Sequence, residues 1–89
     1  MSKTIWKYPL TIPSTLVEMP MDADILTVQM QDKNPVLWCR VNSDTKHPSE
    51  SREFVFVGTG RPLPDAPSYE YIGTIQQSPF AWHLYEVWR

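Results

Sequence analysis

Glycine is scarce in this chain, with three residues in 89, cysteine occurs once, and neither charge sign is in clear surplus. Each shortage excludes something. The lone Cys39 cannot close an intramolecular disulfide, so the disulfide-stapled secreted scaffolds are out. No apolar run approaches the ~18 residues of a membrane-spanning helix, and no membrane partner is expected. Eight Lys plus Arg stand against ten Asp plus Glu, a formal net of −2, dispersed from Lys3 to Arg89. Duplex nucleic-acid binding rests on clustered cationic charge, which this chain lacks. The opening MSKTIWKYPL has neither a signal-length apolar core nor a small-residue cleavage site. Secretion is therefore not expected, and a reducing cytoplasm is.

What is plentiful is proline, nine residues, with no proline-free stretch longer than Met21 to Asn34. An interior proline costs a helix about 3 kcal/mol through a lost donor and a steric clash, so long-helix bundles and coiled coils are excluded. Hydrophobic residues at 42% and aromatics at 12% are too many for a disordered chain. A chain of this length supports one core, hence a single domain over 1–89.

Between turn residues the pattern has period two. Strands are expected over Lys3–Leu10, Thr15–Met19, Ile25–Gln31, Val36–Asn42, Arg52–Val57, Tyr69–Gln76 and Phe80–Trp88. Pro9 suits the first to a sheet edge. In the third, Leu26, Val28 and Met30 share a face. In the fourth, Leu37, Cys39 and Val41 oppose Trp38, Arg40 and Asn42. Phe54 to Val57 is apolar on both faces and reads as a central strand. Tyr69, Tyr71, Gly73 and Ile75 alternate with Glu70, Ile72, Thr74 and Gln76. Ser43–Ser51 reads as a mobile solvated loop, and Gly58–Ser68, rich in proline, as a stiff one. The expected fold is all-β, a small antiparallel sandwich or open barrel of about seven strands. Strands at both ends of the chain invite pairing with another copy, so a homo-oligomer is expected, most simply a symmetric dimer.

Residues that could carry chemistry are few. Gly58-Thr59-Gly60 follows a strand and could offer successive N–H groups to an anion beside Arg61, although glycines equally serve where a strand leaves its sheet. His47, His83 and Cys39 have no metal-ligand spacing, so neither metal nor cofactor is expected. His83 would need an acid–base partner from another strand, Glu70 or Glu53. Cys39 on an apolar face reads as core. No catalytic constellation emerges, and enzymatic activity is not expected.

The eight Trp and Tyr residues are more informative, because a small core cannot enclose Trp6, Tyr8, Trp38, Tyr69, Tyr71, Trp82, Tyr85 and Trp88 together. Trp38 and Arg40 share a strand face, where a ring and a guanidinium can clamp a planar anionic group or form a protein–protein hot spot. The expected ligand-binding set is Trp38, Arg40, Gly58, Thr59, Gly60, Arg61, Tyr71, Trp82 and His83.

The succession KTIWKYPL, EMP, ADILTVQMQ, PVLWCRV, GTG-x-P, YIGTIQ and AWHLYEV resembles a family of small uncharacterised proteins encoded mainly by bacteriophages and prophages. The resemblance covers nearly the whole chain. It implies a phage accessory protein in the bacterial cytoplasm, without assigning any residue a role. An antagonist of bacterial immunity is then expected, acting by oligomeric binding and sequestration of a nucleotide-derived immune signal. The alternatives are a protein–protein inhibitor of a host defence effector such as a CRISPR nuclease, and a minor virion or assembly protein.

Overall fold

A computed structural model describes residues 2–43 and 48–89. Seven strands follow in order: β1 Lys3–Pro9, β2 Ser14–Pro20, β3 Asp24–Gln31, β4 Asn34–Asn42, β5 Ser49–Gly58, β6 Ser68–Gln77 and β7 Phe80–Trp88. They form two open antiparallel sheets, one of three strands in the order β1-β4-β3 and one of four in the order β2-β5-β7-β6. The sheets stack face to face in a molecule only 15 Å deep along its short axis, measured between Cα atoms. The all-β sandwich expected from the alternation is the observed fold.

The β3–β4 hairpin shows how local chemistry sets register. Gln31 pairs with Asn34, so Asp32 and Lys33 form the two-residue turn, both at positive φ (51° and 70°). That is the left-handed conformation that matches the twist of a hairpin and that Asp tolerates. β4 then buries Leu37, Cys39 and Val41 completely. Across the sandwich they meet Val17, Met19, Phe54, Phe56, Ile75 and Leu84. β5 lies between β2 and β7, as its two apolar faces demand.

Four expectations need correction. Leu26 does not join Val28 and Met30, because the register shifts between Ile25 and Thr27; Leu26 bulges out and Ile25 packs against the core instead. A second shift between Tyr71 and Gly73 makes Ile72 the extra residue, so Tyr69 and Tyr71 share the outer face with Thr74, while Gly73 and Ile75 face inward. Ser49–Ser51 are not loop but the start of β5, since β2 supplies backbone partners from Pro20 to Glu18, and the Ser51 hydroxyl donates to Glu18. Within that expected loop, Asp44 to His47 lie outside the described residues. Finally, β7 is not an edge strand but sits between β5 and β6.

The link from β5 to β6 carries the prolines. β5 ends beside Trp82 and β6 begins beside Trp88, so residues 59–67 must travel the length of β7, about 20 Å at strand rise. Pro62, Pro64 and Pro67 keep this strap extended. It lies over the outer face: Val57 and Val87 point outward yet are buried, and Arg89 binds both Glu53 and the Asp65 carbonyl.

Candidate functional site

The expected site residues fall into three places. Trp38 and Arg40 lie on the outer face of the three-stranded sheet. There Trp38 Nε1 donates to Gln29 Oε1 at 3.1 Å, and Arg40 binds Asp24 at 3.1–3.2 Å. Their hydrogen-bonding capacity is partly spent within the sheet, and neither lines the cleft that gathers Gly58, Thr59, Arg61 and Trp82, although Asp24, the partner of Arg40, borders a cleft with Tyr71. The geometry therefore does not unite the nine residues within one chain.

Gly58, Thr59, Arg61 and Trp82 do converge. With Pro79, Phe80 and Ala81 they line a cleft of about 350 Å³ where β5 leaves the sheet and the β6–β7 hairpin turns. A Cβ on Gly58 would meet both the Trp82 ring at 3.5 Å and the Arg61 Cγ at 3.6 Å. The stem of Arg61 and the indole are thus held close together. Trp82 Nε1 donates to Gln77 Oε1 at 3.3 Å, and Phe80 lies beside the indole with centroids 5.8 Å apart and planes tilted by 37°. Phe80 is 58% exposed. Gly60 forms the turn itself at φ 87°, a conformation that a side chain would strain.

One feature of the expected anion cradle is overturned. The Thr59 N–H donates to the Ala81 carbonyl and the Arg61 N–H to the Gly58 carbonyl. Two of the successive N–H groups are committed to the turn, so positive charge at the cleft comes from the Arg61 guanidinium. Arg61 has no ion pair among the described residues.

The third place is the outer face of the four-stranded sheet. Thr59 Oγ1 and His83 Nε2 are 2.8 Å apart, His83 Nδ1 and Thr74 Oγ1 2.9 Å, and Thr74 meets the Tyr71 hydroxyl at 2.5 Å. His83 is therefore held at both nitrogens by threonines, not by Glu70 or Glu53. This chain of hydroxyls and imidazole anchors Thr59 and with it one wall of the cleft. Tyr69 and Tyr71 each meet Tyr85 edge-on, with centroids 5.6 Å apart.

Sequence reasoning missed Arg52 and Glu86. Arg52 Nε and Nη2 bind the two Glu86 carboxylate oxygens at 2.6 and 2.8 Å, and Nη1 donates to the Ala23 carbonyl at 2.9 Å. Glu86 retains 5% side-chain exposure and Arg52 16%. This two-point contact raises the Arg52 pKa further. The pair borders a cleft of about 270 Å³ between the two bulges, lined also by Asp24, Glu70 and Ile72. The signal was legible: Glu86 alternates with Leu84 and Trp88 on the inward face, where an acid requires a cation. Cys39 is fully buried, and burial pushes its thiol up to about 11. That makes it a poor nucleophile, in keeping with a core role.

Among the described residues no group of three or more His, Cys, Asp or Glu could hold a metal ion, and no helix is long and apolar enough to cross a membrane. The molecule is thus defined as a two-sheet antiparallel sandwich with an aromatic, arginine-bearing cleft at one end. The chain belongs to the family described as Domain of unknown function (DUF7352), which matches residues 1–89. No curated protein and no solved structure matches it.

Proposed function

We propose that the protein is a non-catalytic binding module whose cleft at Gly58–Arg61 and Phe80–Trp82 takes a planar anionic small molecule of the nucleotide class. The observation that carries this reading is the juxtaposition of the Arg61 stem and the Trp82 ring at Gly58. A ring that stacks a base and a guanidinium with unspent donors for a phosphate are the two groups such a ligand needs. The volume of about 350 Å³ falls at the lower end of small-molecule sites. In the setting implied by the resemblance to phage-encoded proteins, the module sequesters a nucleotide-derived immune signal in the bacterial cytoplasm.

Thermal denaturation with micromolar cyclic dinucleotides, ADP-ribose derivatives and mononucleotides tests this. A ligand present at 100 times its Kd adds about 2.7 kcal/mol to stability. The expected result is a raised midpoint with one ligand class, its loss in Arg61→Ala, and intact ligand recovered on denaturation. No shift across the panel, or a shift that Arg61→Ala leaves unchanged, overturns the reading.

A second reading has its own observation. The exposed Tyr69 and Tyr71, with Leu16 on the same outer face at 70% exposure, suit a protein contact, because aromatic residues dominate interface energetics. Inhibition of a host defence effector through this face predicts that Tyr71→Ala abolishes co-purification of one such effector while Arg61→Ala does not.

A further inference from the structure

The free edge of β1 has a chemistry that can be derived residue by residue. β1 pairs with β4 without a register shift, from Lys3 opposite Asn42 to Pro9 opposite Val36. Just beyond both ends, the Ser43 N–H donates to the Ser2 carbonyl and the Leu10 N–H to the Pro35 carbonyl, each at 3.0 Å. In an antiparallel ladder the hydrogen-bonded pairs alternate with non-bonded ones. The even-numbered residues of β1 therefore spend their backbone groups on β4. Lys3, Ile5 and Lys7 direct N–H and C=O away from the sheet. Pro9 falls in the same outward set, so its missing donor costs the β1–β4 ladder nothing.

Natural edges are usually blunted by lysine, and here that defence is half withdrawn. The Lys7 ammonium reaches back across the sheet to Gln31 Oε1 at 2.6 Å. β1 is also bare on its faces, with Ile5 58% and Trp6 43% exposed.

We propose that β1 is a homodimer interface, pairing antiparallel with β1 of a second copy about a two-fold axis at Trp6. The register follows from charge and reach. Centring on Ile5 sets Lys3 directly against Lys7 of the other copy, and centring on Lys7 sets two identical ammonium stems opposite each other, both unfavourable. Centring on Thr4 pairs only its immediate neighbours before β1 ends. Centring on Trp6 pairs all of Lys3–Pro9, matches outward Ile5 with outward Lys7, and places Lys3 opposite Pro9, whose carbonyl still accepts. The two indoles then face each other in the narrow non-bonded position on the inward side. The two three-stranded sheets join into one continuous sheet. β1 lies on the other sheet from the Arg61 cleft, so the proposal stands whether or not that cleft binds a nucleotide.

Sedimentation equilibrium over rising concentration, together with cysteine cross-linking, tests it. The expected result is a concentration-dependent dimer whose Kd rises about tenfold or more in Ile5→Pro, with unchanged far-ultraviolet circular dichroism, since the Ile5 N–H is not used within the chain. Because Trp6 lies directly opposite Cys39 on β4, the cross-linking variants carry Cys39→Ala; under mild oxidant Trp6→Cys in that background is expected to form a disulfide dimer and Lys7→Cys is not. A monomer at millimolar concentration that also fails to cross-link through Trp6→Cys overturns the interface, as does a dimer that survives Ile5→Pro. Cross-linking through Lys7→Cys in preference to Trp6→Cys overturns the register.

Discussion

Two arginines stand toward opposite ends of β5, and they have been put to different uses. Arg52, near its start, is largely buried, bound at two points to Glu86 and capped onto the Ala23 carbonyl. Arg61, in the turn after its end, is exposed and has no ion pair among the described residues, yet its stem is held near Trp82. An arginine with its donors satisfied inside a fold holds elements together, here linking β5, β7 and the turn before β3. An arginine with donors unspent beside an aromatic ring is available to a ligand. Residue type alone does not separate the two uses; the acid on the facing strand does.

The contrast can be broken most severely at the buried end. Glu86→Ala leaves the Arg52 guanidinium without its counter-charge, and stability is expected to fall by about 3–5 kcal/mol, read as a lower urea midpoint. For a chain of this size the melting temperature drops by roughly 4–8 °C per kcal/mol. A loss no larger than that of an exposed pair would show that the end is open to water.

The core beside that pair offers a pH test. An ordinary thiol has a value of 9.0, while the folded Cys39 holds its proton to about 11. The unfolded chain therefore ionises first: the contribution is fully present below pH 9 and is lost as pH climbs toward 11. The expected cost is about 2–3 kcal/mol by linkage, seen in alkaline denaturation and absent from Cys39→Ala. Tyr8, also raised by burial, acts in the same direction at higher pH.

A smaller effect is expected at the seam between the sheets. A Cβ on Gly73 would approach Val28 Cγ1 to 3.0 Å, closer than ordinary packing allows. Gly73→Ala should cost about 1–3 kcal/mol by overpacking, with Val28→Ala restoring part of it in the double variant. Least of all for stability is Arg61→Ala at the exposed end, expected within about 0.5 kcal/mol of the parent. Its signature is instead the disappearance of ligand-induced thermal stabilisation. A large stability loss there would erase the distinction between the two arginines.

Strand positions were legible because alternation and proline placement are local properties, and all seven strands lie close to where period two put them. The faces were legible only up to the bulges. Leu26 and Ile72 each add a residue, and nothing in either segment alone marks the shift, because a bulge is fixed by the partner strand. Ser49–Ser51 were misjudged for the same reason: their composition is that of a loop, and β2 makes them a strand. The cleft was half visible. Gly58, Thr59, Arg61 and Trp82 were identified from residue chemistry, while Phe80 and Pro79 needed the hairpin to bring them alongside. The separation of Trp38 and Arg40 from that cleft follows from the sheet to which β4 belongs, which alternation within one strand does not encode.

The central place of β7 has a consequence for how the molecule is made. Of the seven strands it is synthesised last, and both β5 and β6 depend on it for an edge. While the ribosome is still translating β6, the strap has nothing to cross, Arg52 has no Glu86 to meet, and Phe54 and Phe56 lack the strand on their β7 side. β2 and β5 can pair before β7 is made, but the sheet goes no further, because β6 has no other neighbour in it. β6, with its exposed tyrosines, waits for Phe80–Trp88, the strand that joins it to the β2–β5 pair.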